Sequence, residues 1–178
     1  LTPQNMKKLT SNRRKFLKAG LASAIFTPSI SSSKNINSNI QHACIGVGGM
    51  MGYNDYKNIS SHSKTKIAAI CDVDKNYLGR VAKENPGIRT YSDWRELFEK
   101  EGDQIDSVNV TVPDHMHFPI AYNAVKNKKH VYCQKPLCHD VAEVRALAEA
   151  TREAEVKTQL GTQAASGFGD RMGIHYVK

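Results

Sequence analysis

The sequence predicts an α/β fold built on a doubly wound parallel sheet, and three observations lead to this prediction. Short runs rich in β-branched residues alternate with helical patterns between residues 42 and 161. The first run passes directly into a string of glycines, and the second run ends at an acid. Strands that alternate with helices pair in parallel through right-handed crossovers, which places helices on both faces of one sheet.

The predicted elements follow one another along the chain in the order expected for such a sheet. Asp140 and Glu143 form a capping-box pattern that begins a helix, which we expect to reach about Glu155. Asp93 begins a shorter helix in the same way. The long helix repeats apolar or small residues at a spacing that predicts one buried face, at Val144, Leu147, Ala148 and Thr151. The predicted strands are Ala43–Val47, Lys66–Cys71, a weaker Ile88–Tyr91, Ser107–Val112, His130–Cys133 and Lys157–Leu160.

The formal charge of +8 belongs to the start of the chain. Seven of the 25 Lys and Arg residues lie in residues 1–34, which contain no acid, so 18 bases face 17 acids in the remainder. A nearly neutral remainder has no basic stripe to follow a phosphate backbone. We therefore expect no nucleic-acid partner.

The first 34 residues have the pattern of a signal peptide. Residues 13–18, Arg-Arg-Lys-Phe-Leu-Lys, resemble the twin-arginine export motif, and the apolar residues 19–30 that follow are too few to span a membrane. This predicts export through the twin-arginine translocase to the periplasm. A disordered basic arm is the alternative. Residues 1–34 are predicted to be an extension with this signal, and residues 35–41 a linker.

A glycine-rich loop follows the first predicted strand. Gly46 would make the tight turn, Gly48 would let backbone amides approach a pyrophosphate, and the helix after them would offer unpaired N–H groups. The third glycine is at Gly52, while Met51 occupies its usual position, which would loosen the packing of helix against strand. This arrangement predicts a dinucleotide-binding fold of the Rossmann type at residues 42–161.

Asp72 ends the second predicted strand, 26 residues after Gly46. An acid at this place can accept hydrogen bonds from the adenosine ribose and repels a 2′-phosphate. The predicted cofactor is therefore NAD, with NADP disfavoured. An ordinary helix-capping role is the alternative for this acid, although Asp74 can serve as that cap.

The cysteines indicate neither a metal site nor a redox pair. Cys44, Cys71 and Cys133 lie in or beside apolar runs, where a thiol behaves as a small hydrophobe. His115 and His117 have no evident third partner for a metal ion. We therefore predict no metal site.

Three further segments make the sequence resemble the Gfo/Idh/MocA family, named for glucose–fructose oxidoreductase and inositol dehydrogenase. They are Val112-Pro113-Asp114-His115-Met116-His117, residues 129–137 with Gln134-Lys135-Pro136, and Gly161-Thr162-Gln163. The resemblance implies a nicotinamide cofactor, a sugar or polyol substrate, and a second, substrate-binding domain, of which residues 162–178 would be the start. It also implies a homo-oligomeric whole protein.

Carried over by position, the resemblance implies that Lys135 is the catalytic residue, facing the substrate alcohol beside the nicotinamide. We expect burial and the cationic nicotinamide to lower its pKa. Gln134 stands where the family more often has Glu, which removes a negative charge near Lys135. The resemblance also suggests a cis Lys135–Pro136 bond. The predicted cofactor-binding residues are Gly46, Gly48, Gly49, Met50, Met51, Asp72, Thr111, Pro113, His117, Gln134 and Gln163.

Three hypotheses for function remain open at this point. The first is an exported NAD-dependent dehydrogenase of a sugar or polyol. The second is an NAD-dependent glycoside hydrolase of the same family, which oxidises, eliminates, adds water and reduces again. The third is a nucleotide-binding fragment without turnover, because the substrate domain that the resemblance implies would lie beyond Lys178.

Overall fold

A computed structural model describes residues 39–177, which form one parallel six-stranded sheet with the strand order β3-β2-β1-β4-β5-β6. This confirms the predicted fold class. The residues of the predicted signal peptide lie outside the described part of the chain. The strands are β1 Ile40–Ile45, β2 Thr65–Cys71, β3 Arg89–Tyr91, β4 Ser107–Val110, β5 His130–Gln134 and β6 Thr158–Gly161.

Helices connect these strands and cover both faces of the sheet. They are α1 Gly49–Ser60, α2 Lys75–Glu84, α3 Trp94–Glu101, α4 His117–Lys126 and α5 Val141–Ala154. A further helix, α6 Phe168–Val177, follows β6 and has no buried residue. Side chains of β1 alternate between two cores, as the period of a strand requires. Cys44 packs in one core with residues of α1 and α2, and Ala43 and Ile45 pack in the other with residues of α3, α4 and α5.

All six strands end at the same edge of the sheet, because every pairing is parallel. The chain order reverses between β1 and β4, which are hydrogen-bonded neighbours. Open α/β sheets bind ligands at the carboxyl ends of their strands, at such a reversal. The loops that follow Ile45 and Val110 therefore flank the expected binding crevice.

Two sequence predictions need correction. β1 begins at Ile40, so residues 40 and 41 belong to the sheet and not to the linker. In α5 only Leu147 of the predicted face is fully buried, while Val144 is 45% exposed. The edge strand β6 is only four residues long, so α5 extends past it, and Val144 and Ala148 line an open groove.

The predicted helix starts are confirmed at Asp93 and Asp140. The Asp140 carboxylate accepts from the Glu143 backbone N–H at 2.9 Å, and the Glu143 side chain accepts in return from the His139 N–H. Among residues 39–177, no helix combines the length and the hydrophobicity needed to cross a membrane.

Candidate dinucleotide site

The turn between β1 and α1 can be made only with glycine. Gly46 has φ +84°, and a Cβ atom there would lie 2.0 Å from the Thr111 carbonyl oxygen. Gly49 also has a positive φ, of +61°, but faces open space. The backbones of the β1 and β4 loops therefore touch at Gly46, and the loop stays uncovered at Gly49.

Gly52 takes the packing role of the third glycine. It is buried, and a Cβ atom there would lie 2.8 Å from the Gly46 carbonyl oxygen. The expectation that Met51 loosens the packing of helix against strand was wrong. One extra residue in the turn moves the close contact to Gly52 and leaves Met50 and Met51 exposed, at 76% and 41%.

The N-terminus of α1 is open, in contrast to those of α2, α3 and α5. Asp74, Asp93 and Asp140 each cap a helix with a side-chain carboxylate. The N-cap residue of α1 is Gly48, which has no side chain to make such a bond, and the first turn of α1 contains no acid. Its unpaired N–H groups and partial positive charge can therefore receive an anion.

Asp72 braces the glycine loop. One carboxylate oxygen accepts from the backbone N–H groups of Val47 and Gly48, at 2.9 and 2.8 Å, and the other accepts from Asp74 N–H at 3.0 Å. Its place at the end of β2 predicted contact with a ribose but not this bracing. A carboxylate offers about four acceptor positions, so one remains for a ribose hydroxyl.

These residues line a cleft of about 580 Å³ at the expected reversal point. One wall carries Gly46, Gly48 and Asp72, and the opposite wall carries Thr111 and Pro113. The Tyr77 ring packs against Gly48, where a Cβ atom would lie 2.2 Å from it. Asp74, Asp93 and Trp94 also line the cleft. The open amides, the missing side chains at the glycines and the acid thus fit a dinucleotide.

Lys135 follows β5 at the same edge of the sheet and is exposed. Its peptide bond to Pro136 is cis, as the resemblance suggested. We expected burial of the lysine, and the described residues do not provide it. The loop is nevertheless fixed from behind, because the Pro136 carbonyl oxygen accepts from the Nδ1 atom of His117 at 2.5 Å.

His117 does not line the cleft, contrary to the prediction. It is 1% exposed and begins α4, whose first turn packs under the Pro136 loop. Its Nε2 atom is buried without a hydrogen-bond partner among the described residues. Its neighbour His115 lies on the cleft wall instead.

Gln134 also points into the interior, at 6% exposure, where we expected contact with cofactor or ribose. Strand alternation turns its side chain toward α1, and its Nε2 atom donates to the Asp55 carboxylate at 2.8 Å. The Thr111 hydroxyl donates to the same carboxylate oxygen at 2.8 Å. No sequence motif marked Asp55, since its partners are 56 and 79 residues away.

Gln163 lies in a short 3-10 turn after β6 and is exposed. Its Nε2 atom donates to the Tyr132 hydroxyl at 2.9 Å. Its contact with the nicotinamide stays a prediction.

Burial keeps the interior thiols protonated. It is the main cause that raises the pKa of Cys71 to about 12 and that of Cys133 to about 12, and it also raises the pKa of Cys44. This agrees with the interpretation of these cysteines as small hydrophobes. A thiol kept protonated in this way is a weak nucleophile.

Comparison with known proteins agrees with this geometry. The profile of the Gfo/Idh/MocA oxidoreductase family, with its NAD-binding Rossmann fold, matches residues 40–162. The myo-inositol 2-dehydrogenase of Thermotoga maritima is 34% identical over 115 residues, which make up 63% of this chain and 34% of that protein. A glycosyl hydrolase family 109 protein of Shewanella woodyi is 25% identical over 150 residues, or 79% of this chain and 32% of that protein.

A solved structure of an oxidoreductase from Agrobacterium radiobacter, in complex with NAD⁺, L-tartaric acid and magnesium, is also similar. It matches 70% of this chain and 35% of its own with a TM-score of 0.63 and 26% identity. The chain thus spans about a third of the length of the relatives it matches.

Proposed function

Because the chain belongs to the Gfo/Idh/MocA oxidoreductase family and has its NAD-binding Rossmann fold, we propose that the whole protein oxidises an alcohol group of a sugar or polyol. The observation that carries this proposal is the shared edge of the sheet. At that edge the open N-terminus of α1, braced by Asp72, follows β1, and the exposed Lys135 follows β5, with β4 between the two strands. A dinucleotide bound along the edge would run from one to the other.

The chain's own residues divide the work between binding and proton transfer. The open amides of the first turn of α1 hold the pyrophosphate, and Asp72 holds the loop and a ribose hydroxyl. NAD supplies the hydride acceptor when bound. The Lys135 amine takes the hydroxyl proton as the carbon–hydrogen bond breaks and the carbonyl forms, and returns it in the reverse direction. Its exposure leaves room for a substrate against the nicotinamide.

The remaining wall of the substrate pocket would come from a second domain, of which residues 162–178 are the start. The greater length of the relatives supports this proposal. The twin-arginine pattern at residues 13–18 supports export of the folded protein to the periplasm. A homo-oligomeric assembly of the whole protein belongs to the same proposal.

Titration of the 178-residue chain with NAD⁺ and with NADP⁺ tests the binding half of the proposal. Trp94 is the single tryptophan and lines the cleft, so its fluorescence reports occupancy. We expect NAD⁺ to bind at least about tenfold more tightly, a difference of ~1.4 kcal/mol. The variant Asp72→Ser should lose this preference, whereas Asp103→Asn, an exposed acid at the opposite edge of the sheet, should keep it. Equal affinities in the parent chain would contradict the proposal.

A glycoside hydrolase is the second candidate, and the likeness to the Shewanella woodyi protein over 79% of this chain favours it. Both candidates begin with the same hydride step. A dehydrogenase accumulates NADH in proportion to product, whereas the hydrolase regenerates NAD. Absorbance of NADH during turnover by the whole protein therefore separates the two. A chain without turnover would form neither NADH nor product.

A further inference from the structure

One carboxylate oxygen joins three elements that build the candidate site. The Asp55 Oδ2 atom accepts from the Thr111 hydroxyl and from the Gln134 amide, both at 2.8 Å. Asp55 belongs to α1, the helix that begins at the glycine loop. Thr111 directly follows β4, beside that loop, and Gln134 is the last residue of β5 and directly precedes Lys135. Asp55 and Gln134 are each 6% exposed, so the contact is interior.

The hydrogen bonds behind Thr111 all run toward this oxygen. The Asn109 amide donates to the Thr111 hydroxyl at 3.0 Å, which directs the hydroxyl proton to Asp55. The Nε2 atom of His42 lies 3.1 Å from the Asn109 carbonyl oxygen. An ionised carboxylate is an acceptor only, so Asp55 matches this order of donors.

Asp55 also places a carboxylate beside Gln134, the position where the resemblance implies a Glu more often. The resemblance has Glu more often at the position of Gln134, and here the carboxylate contacts that residue from the neighbouring helix. Burial first, and the Asp55 charge second, raise the pKa of Tyr132, which lies two residues before Gln134. The carboxylate of this chain thus lies on α1, one hydrogen bond away from the β5 position where the resemblance implies a Glu.

Stability alone does not account for a buried carboxylate. Apolar residues of similar volume stabilise an interior as well as buried charged groups or better. We propose that Asp55 is a positioning residue, which sets Lys135 relative to the bound dinucleotide by holding β5 to the helix that receives the pyrophosphate. This inference rests on the proposed function.

Chemical labelling of Lys135 tests the inference on the 178-residue chain. Acetylation by N-hydroxysulfosuccinimide acetate, read by mass spectrometry, is compared with and without saturating NAD⁺. In the parent chain we expect NAD⁺ to slow labelling of Lys135 several-fold and to leave the exposed Lys83 unchanged. Asp55→Asn replaces the charged acceptor by a neutral one and so weakens the hydrogen bonds that hold Thr111 and Gln134 to α1. NAD⁺ should still bind, while most of the protection at Lys135 is lost.

The double variant Asp55→Asn with Gln134→Glu, called the exchange variant, places the carboxylate on β5 instead of α1. It should restore the protection of Lys135 by NAD⁺. Asn54→Ala, an exposed neighbour on α1, is the matched control and should protect as the parent does. A merely structural Asp55 would lower the melting temperature without changing protection. If Asp55→Asn does not fold, the exchange decides alone, because a folded exchange variant that binds NAD⁺ without protecting Lys135 overturns the inference.

The possible results distinguish a failure of this inference from a failure of the proposed oxidoreductase function. Full protection in Asp55→Asn overturns the role of Asp55 and leaves the oxidoreductase proposal intact. NAD⁺ that binds the parent chain without protecting Lys135 overturns the proposed role of Lys135, and the inference with it. Loss of protection in the single variant and its return in the exchange would support both.

Discussion

The two ends of the candidate site present different chemical groups to a ligand: backbone amides at one end and a side chain at the other. At the pyrophosphate end the ligand-facing groups are backbone amides, and glycines keep side chains away from them. At the Lys135 end the chemical group is an exposed side chain, and buried residues hold its loop from behind through Gln134 and His117.

This difference decides how each end responds to change. A backbone site depends on local chain geometry, so a single added methyl group can destroy it. A side-chain site depends on contacts between distant segments, and it can lose its chemistry while the fold survives. The predictions below test this contrast, beginning with the largest effect.

Gly46→Ala should be the most damaging single change at the backbone end. The new Cβ atom would lie 2.0 Å from a backbone oxygen at a φ of +84°, and the neighbouring strand cannot yield without breaking the sheet. We expect a loss of more than about 4 kcal/mol in the free energy of unfolding, measured by urea denaturation.

Gly87→Ala is its matched control. Gly87 has a similar φ of +90°, but nothing lies within 4 Å of the added atom. Only the left-handed conformation is then penalised, at about 1 kcal/mol. Similar losses in the two variants would show that backbone strain, and not the contact with Thr111, makes glycine necessary.

His42 provides a pH test of the buried network beneath the Lys135 end. Burial lowers its pKa from 6.5 to about 4, although the hydrogen bond to Asn109 opposes this. Between pH 6.5 and 4 this histidine binds a proton in the unfolded chain but stays neutral in the folded chain. Its contribution to the free energy of unfolding is therefore fully present above pH 6.5 and falls as the pH drops toward 4. The loss attributable to this histidine is roughly 3 kcal/mol.

Urea unfolding at several pH values measures this effect. His42→Gln should flatten the dependence between pH 6.5 and 4, because glutamine does not titrate. His62→Gln, an exposed histidine after α1, should leave it unchanged. A parental slope in His42→Gln would mean that other groups cause the acid sensitivity.

The same contrast explains what the sequence could predict. The glycine spacing, the acid at Asp72 and the alternation of strands were visible because each is a local pattern with a local physical cause. The bracing of Val47 and Gly48 by Asp72 was not, because it depends on how closely β1 and β2 loops approach. Asp55 was missed altogether, and His117 and Gln134 were placed in the cleft, since strand alternation and helix packing determine which way a side chain points.

Asp72→Ala should have an intermediate effect. It removes the acceptor of the Val47 and Gly48 N–H groups, and we expect a loss of about 2 kcal/mol in unfolding free energy, with weaker NAD⁺ binding. Asp72→Asn should lose less stability, because its carbonyl oxygen can still accept from those two groups. Calorimetry and NAD⁺ titration measure both, and an unchanged affinity in Asp72→Ala would show that the loop keeps its shape unaided.

Lys135→Ala should have the smallest effect on the 178-residue chain. The lysine is exposed, and the groups that hold its loop are the Gln134 side chain and the Pro136 carbonyl, which the substitution leaves in place. Stability and NAD⁺ affinity should therefore match the parent within experimental error.

In the whole protein the same change should remove most turnover, since a positioned acid–base group contributes ~10²–10⁴-fold in rate. Lys135→Arg should restore little, because arginine does not release its proton at working pH. The rate of NADH formation in a single turnover, measured together with the NAD⁺ affinity, distinguishes a loss of proton transfer from a loss of binding. Parental turnover in Lys135→Ala would show that the side-chain end of the site carries no proton-transfer group, and the contrast between its two ends would then be one of architecture alone.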